Sequence, residues 1–134
     1  MNEQEAQQKY IELQLLEQQV NQLQHQFSLL EQQSIELKSL SENIEEIKNI
    51  KINTRTFSSL GNGIFLESEL KDNKELLVNV GANVIVKKSI EDTKKIITNQ
   101  TLEIDKLKAQ IEEQLQKLTI HSIDLQEELS KLNQ

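Results

Sequence analysis

The chain has 134 residues, contains no Pro, Cys or Trp, has only 3% aromatic residues and carries a formal net charge of −7. Without Cys it cannot form a disulfide scaffold or a thiolate metal site, and so few aromatic residues argue against a conventional globular core. The acidic balance, with Arg55 as the only arginine, argues against nucleic acid or an anionic membrane as a partner.

Residues 1–52 predict one long helix. Gln, Glu, Leu, Ile and Lys dominate, as is typical of coiled coils, and no Gly or Pro interrupts residues 2–52. Apolar residues recur in two rows with heptad spacing, which together form a seam on one helical face. The rows are Leu16, Leu23, Leu30, Leu37 and Ile44, and Ala6, Leu13, Val20 and Phe27, continued by Ser34 and Ser41.

Residues 53–88 predict two β-hairpins. All three glycines lie here, and runs of β-forming residues at about 54–59, 64–70, 76–80 and 84–88 are separated by "LGNG", "KDNK" and "VGAN". We expect Asn62–Gly63 to form one tight turn and Gly81 to serve the other. Two isolated hairpins are marginal in water, so their apolar faces are expected to need sheet from other subunits.

Residues 89–134 predict a second long helix, with Ser89 as its N-cap and Glu91 and Asp92 in its first turn. Its seam rows are Ile90, Ile97, Ile104, Ile111, Leu118, Leu125 and Leu132, and Lys94, Thr101, Lys108, Leu115, Ser122 and Leu129.

Two helices of equal length predict an antiparallel hairpin. One register pairs Leu13 with Leu125, Phe27 with Ile111 and Leu30 with Lys108, so that every polar seam residue meets a branched aliphatic one. A register shifted by one heptad remains open at this point.

Residues typical of catalytic or metal sites are scarce. His25 and His121 have no second ligand at helical spacing, and the carboxylates are spread along solvated helices. "LGNG" lacks the Lys-Ser/Thr of a phosphate-binding loop. We therefore expect no enzymatic activity, no metal and no cofactor.

No apolar run could span a bilayer and the polar start "MNEQEAQQKY" does not resemble a signal peptide, so a cytoplasmic protein is expected.

The order helix, two β-hairpins, helix resembles the α-class subunit of prefoldin, of the archaeal type. "LGNGIF" (residues 60–65) is similar to the family's Gly-x-Gly turn, and "ELKDNKELLVNVGANVIVKKSIEDTKKII" (residues 69–97) is similar to its stretch from the second strand into the second helix. The arms match in length and periodicity only. The family's first strand usually carries Pro where this chain has Ser59.

This resemblance implies an α+β fold, in which a long antiparallel coiled-coil hairpin carries two β-hairpins at the helix–helix connection and oligomerises through a β-barrel. It implies an ATP-independent chaperone (holdase) in a hexamer of two α-class and four β-class subunits, which passes non-native clients to a group II chaperonin. The alternative is a structural or adaptor subunit of another prefoldin-like complex, whose arms bind a fixed partner.

Candidate site residues follow from this resemblance. Clients are expected at the arm tips, formed by the start of helix 1 and the end of helix 2, at Tyr10, Ile11, Leu13, Leu15, Leu16, Leu125, Leu129 and Leu132. Leu125 and Leu129 could equally be only the end of the seam. Assembly is expected at Ile64, Phe65, Leu66, Leu77, Val78, Val80, Val84 and Val86. Gly61, Gly63 and Gly81 are interpreted as turn residues.

Overall fold

The computed structural model describes residues 2–133 and contains two long helices and two small antiparallel hairpins. This confirms the predicted α+β class. In chain order the elements are α1 (Glu3–Lys48), β1 (Arg55–Gly61), β2 (Ile64–Glu69), β3 (Glu75–Asn79), β4 (Ile85–Ser89) and α2 (Ile90–Ser130), followed by the 3₁₀ turn Lys131–Asn133.

The chain divides into two compact units. The arm unit contains α1 up to Ser34 and α2 from Glu103, and the hairpin unit is Ile35–Leu102.

Helix α1 begins at an N-cap and ends where the chain turns toward the sheet. The side chain of Asn2 accepts a hydrogen bond from the Glu5 N–H at 2.8 Å, which satisfies a backbone donor of the first turn. After Lys48 the bonds tighten to 3₁₀ spacing, Asn53 adopts a φ of 71°, and its N–H donates to the Leu70 carbonyl at 2.7 Å. Helix α1 therefore ends four residues before residue 52, the end predicted from the sequence. The Asn53 backbone bonds to Leu70, the residue after β2, and does not continue the helix.

Ser89 is both the last residue of β4 and the N-cap of α2. Its hydroxyl accepts a hydrogen bond from the Asp92 N–H at 3.1 Å, which confirms the predicted cap. Glu91 and Asp92 lie in the first turn, where carboxylates interact favourably with the helix dipole.

The first hairpin pairs β1 with β2 and contains a bulge. Register shifts between Ser59 and Gly61, and the chain reverses at Asn62 and Gly63, with φ of 53° and 78°. The expected Asn62–Gly63 turn is thus formed. At Ser59, where the resembled family has Pro, the side-chain oxygen accepts a hydrogen bond from the Gly61 N–H at 3.2 Å and so supports the bulge.

The second hairpin pairs β3 with β4 and turns at Ala82–Asn83. Both residues have positive φ, 49° and 62°, and the Val84 N–H donates to the Gly81 carbonyl at 2.9 Å, as in a type I′ turn. Gly81 precedes the turn with a φ of 121°. Ala82 is unusual here, because a Cβ makes the left-handed region costly and Ala has no side-chain polar group to compensate.

The predicted seam is the buried surface of both units. Every residue of the four rows is buried or half-buried except Leu132. In the arm unit the most buried members are Leu16, Leu125 and Leu129. In the hairpin unit Ile44, Ile90 and Ile97 form a core cluster, against which Leu37, Ile47 and Leu76 pack. Because Leu76 lies in β3, this cluster attaches the second hairpin to the helices.

Lysines inside the seam pair with carboxylates of the facing helix. In the arm unit Lys108 Nζ lies 2.5 Å from Glu31 Oε1 and 5.6 Å from the Phe27 ring centroid, and in the hairpin unit Lys94 pairs with Glu45. The hydrogen bond to Glu31 raises the pKa of Lys108. Glu31 and Glu45 follow Leu30 and Ile44, the residues that the predicted register places opposite these lysines. A register shifted by one heptad would not bring these pairs together.

Near the end of the arm unit, Lys9 binds Glu128 of α2. The hydrogen bond from the Lys9 ammonium is the main reason that the pKa of the Glu128 carboxyl lies below its ordinary value, and the nearby charge of Lys131 adds a smaller effect.

Replacing Ala82 with Asn is expected to stabilise the protein by about 0.5–1 kcal/mol, because Asn tolerates the left-handed conformation. Urea unfolding of the full chain measures the effect. Ala109→Asn is the matched control: Ala109 lies on an exposed helical surface, where the same change should destabilise. A lower unfolding midpoint for Ala82→Asn would contradict the turn assignment.

Replacing Ser34 with Ala is expected to raise the free energy of unfolding by about 1–2 kcal/mol. Within the part of the chain that the structure describes, the buried Ser34 hydroxyl has no hydrogen-bond partner. The change removes that group and improves helix propensity. Ser28→Ala, at an exposed position of the same helix, should give only the propensity gain. Thermal unfolding compares the two variants. Equal shifts in melting temperature would show that the Ser34 hydroxyl has a hydrogen-bond partner.

Replacing Lys9 with Met is expected to raise the pKa of Glu128 toward its ordinary value, and Lys131→Met should raise it less. A carboxyl-detected NMR titration measures both. Because the folded-state pKa is lowered, the pair stabilises the protein above the ordinary Glu pKa and is lost as pH falls through the folded value. If Lys131→Met has the larger effect, the Lys9 contact is not the cause.

Candidate functional site

The eight residues predicted to bind clients all lie in the arm unit, and they separate by exposure. Tyr10, Ile11 and Leu15 are exposed by 49%, 58% and 54%, and Leu132 by 38%. Leu16, Leu125 and Leu129 are buried in the seam and Leu13 is half-buried. In this conformation the first four present most of the apolar surface that the set exposes to solvent.

Ile11 and Leu15 form a small apolar pair on the outside of α1. They lie one helical turn apart and away from the seam rows, so they share a face that α2 does not cover. On α2, Ile120 and Ile123 are exposed in the same way and were not predicted. The same criterion, an aliphatic residue outside the heptad rows, would have found them.

Polar contacts between the helices keep this end of the arm unit closed. Lys9 binds Glu128, and His121 Nε2 lies 2.9 Å from Glu12 Oε1. Together with the burial of Leu125 and Leu129, these contacts hold the seam together. The exposed apolar groups are therefore displayed on a packed pair of helices.

The predicted assembly residues are mostly exposed. Val78 and Val86 are paired across the second hairpin, on the face that also carries Leu76, and are half-buried. The other six are more than half exposed: Ile64, Phe65, Leu66, Leu77, Val80 and Val84. The prediction omitted Phe57, Leu60 and Ile85, which are equally exposed. All three lie within the observed strands, Phe57 and Leu60 in β1 and Ile85 in β4, and an apolar residue in a short strand was the sequence signal that could have identified them.

Among residues 2–133 each sheet has two strands, so within this range every strand leaves one backbone edge without a ladder partner. Such edges readily pair with further strands, and contiguous apolar surface normally marks a protein interface. The hairpins thus combine open edges with apolar faces, which is the surface that added strands would cover.

A groove runs along one side of the arm unit between α1 and α2. It is continuous because its two neighbouring sections share Gln26 and Gln114. We call it the glutamine groove. Its floor is Leu23, Leu30, Ile111 and Leu118, and its walls are Gln19, Gln22, Gln26, Gln33, Gln110 and Gln114, with Leu29, Leu107 and Lys117.

Among residues 2–133, no three metal-ligating side chains come together. No helix in that range is long and apolar enough to cross a membrane.

Comparison with known proteins identifies the family. The model of the Prefoldin family, described as "Prefoldin subunit", matches residues 16–134. No curated protein sequence matches this chain. Its fold is similar to that of the filamentous PFD from Methanocaldococcus jannaschii, solved by cryo-EM, with a TM-score of 0.77, 16% identity, and coverage of 84% of this chain and 93% of that one.

The family match begins at Leu16 in α1 and extends through the two hairpins and α2. On this basis the chain belongs to the prefoldin family.

Proposed function

We propose that this chain is an archaeal-type, α-class prefoldin subunit that acts in the cytoplasm as an ATP-independent holdase. The observation that carries the proposal is the family match over residues 16–134. Two kinds of exposed surface support the proposal. Exposed aliphatic residues lie near the end of the arm unit, and exposed apolar strands lie in the hairpin unit. Prefoldins are a non-enzymatic chaperone family, which agrees with the chemistry of the described residues.

The tip residues favour weak, repeated contacts with non-native protein. Ile11 and Leu15 offer two aliphatic side chains, and burying one such side chain is worth about 1.5–3 kcal/mol at most. A single arm would therefore bind a client weakly, and strength would come from several arms acting together. Neighbouring Glu12 and Glu17 keep this surface soluble and disfavour acidic clients.

Assembly through the hairpins would bring the arms together. We propose a hexamer of two α-class and four β-class subunits, in which the apolar hairpin faces form a β-barrel and the client passes to a group II chaperonin. A second assembly, a filament, is favoured by the similarity to a filamentous PFD. In this proposal the hexamer and the filament would both form through the open strand edges. The molecular mass of the assembly distinguishes them.

The alternative function is a structural or adaptor subunit of another prefoldin-like complex. Its arms would bind one folded partner at fixed stoichiometry. Such a protein would not suppress the aggregation of unrelated unfolded proteins.

The test measures light scattering by an unfolded enzyme diluted into the assembled protein. The double variant Ile11→Gln and Leu15→Gln should lose most of the protection, because it removes the exposed tip pair. The matched control is Ile35→Gln with Leu102→Gln, which also changes two exposed aliphatic residues but in the hairpin unit. Equal protection by both variants would contradict the role of the tip.

The mass of the assembly, alone and mixed with a β-class subunit, is the required companion measurement. A defined hetero-hexamer supports the main proposal, and long homopolymers support the filament. If neither forms at micromolar concentration, the hairpins do not mediate assembly. If assembly occurs without any protection of the client, the adaptor alternative is favoured.

A further inference from the structure

We propose that the glutamine groove is a second capture surface, which binds an extended, uncharged segment of a non-native polypeptide. The inference rests on the proposed holdase function and deepens it, because it names the class of segment that the arm selects. It is independent of the tip residues, none of which lines the groove.

The floor of the groove supplies apolar contact. Leu23 and Leu118 line one section, and Leu30 and Ile111 line the next. All four belong to the seam and are half-buried, so part of each side chain remains open to solvent on this side. Apolar client side chains laid along the groove would cover that remainder.

The walls supply hydrogen bonds that suit an extended chain. Each Gln side chain offers two donors and an acceptor. A client helix or sheet has already satisfied its backbone groups, whereas an extended segment presents free N–H and C=O groups. From Gln19 to Gln33 the wall of α1 is about 21 Å long, which matches about six extended residues. The amide walls therefore favour unfolded over folded partners.

The charges of the arm unit favour an uncharged segment. The α1 residues that line the groove are all Gln or Leu, and its only charged residue, Lys117, has its ammonium 3.3 Å from Glu113. The acidic residues Glu17, Glu31, Asp105 and Glu112 do not line the groove. A charged client side chain entering the groove would lose hydration without finding a free counter-charge.

The experiment measures fluorescence anisotropy of a labelled peptide of about ten residues of Thr, Val and Gln, an extended and uncharged probe. The titrant is the full chain in its native assembly. Gln26→Glu with Gln114→Glu places two charges in the groove. The control, Gln24→Glu with Gln116→Glu, adds the same charges two residues away on each helix, about 200° around the helical axis.

The groove variant is expected to weaken peptide binding about tenfold, whereas the control should change it by less than about twofold. Gln22→Lys should also weaken binding, because the groove excludes charge of either sign. Equal losses in groove and control variants, or no loss in either, would overturn the proposal. Far-UV circular dichroism establishes that each variant remains helical.

Two measurements separate this inference from its competitors. If the groove variant reduces the mass of the assembly, the groove is an interface with a second copy and the proposal is overturned. The tip variant Ile11→Gln with Leu15→Gln should still bind the peptide. If this tip variant binds the peptide and still protects the client fully, the tip model alone is defeated. Absence of peptide binding by the unmodified protein would overturn the groove inference alone.

Discussion

The structure depends on burial of the apolar seam that α1 and α2 share. A helix with so few aromatic residues has no other large apolar surface, so its stability comes from aliphatic side chains that meet the facing helix at every turn. The same seam ends in the Ile44, Ile90 and Ile97 cluster, on which Leu76 of β3 packs. Within the hairpin unit, the seam thus holds the second hairpin against the helices.

Because a purely aliphatic seam tolerates sliding, its polar members determine alignment. Lys108 meets Glu31 and Phe27, and Lys94 meets Glu45. A displaced register would bury each ammonium without a carboxylate, which costs more than the pair contributes in its native position. Polar residues at these seam positions therefore sacrifice some stability and gain a single alignment.

Periodicity allowed the helices and the N-cap at Ser89 to be predicted, since these depend on local spacing and short-range hydrogen bonds. It offered one facing register but left a shift of one heptad open, and the pairs of Lys108 with Glu31 and Lys94 with Glu45 decide between them. The end of α1 could not be predicted, because it is set by the bond from Asn53 to Leu70, a contact with a strand. The first strand likewise depends on a contact outside its own sequence, because β1 is held by its pairing with β2. Heptad position separates Ile11 and Leu15, which lie outside the seam rows, from Leu125 and Leu129 within them, and the packed helices show the first pair exposed and the second pair buried. The glutamine groove was missed because it depends on side chains of two helices together.

The exposed hairpins also bear on how such a protein has to be produced. A copy whose strands are still uncovered displays apolar side chains such as Phe57 and Leu77 beside open strand edges. That is the kind of surface by which a holdase recognises unfolded protein. Under the proposed holdase function, an orphan subunit would therefore be a client of completed assemblies, and synthesis in matched amounts would keep those assemblies from being occupied by surplus subunits.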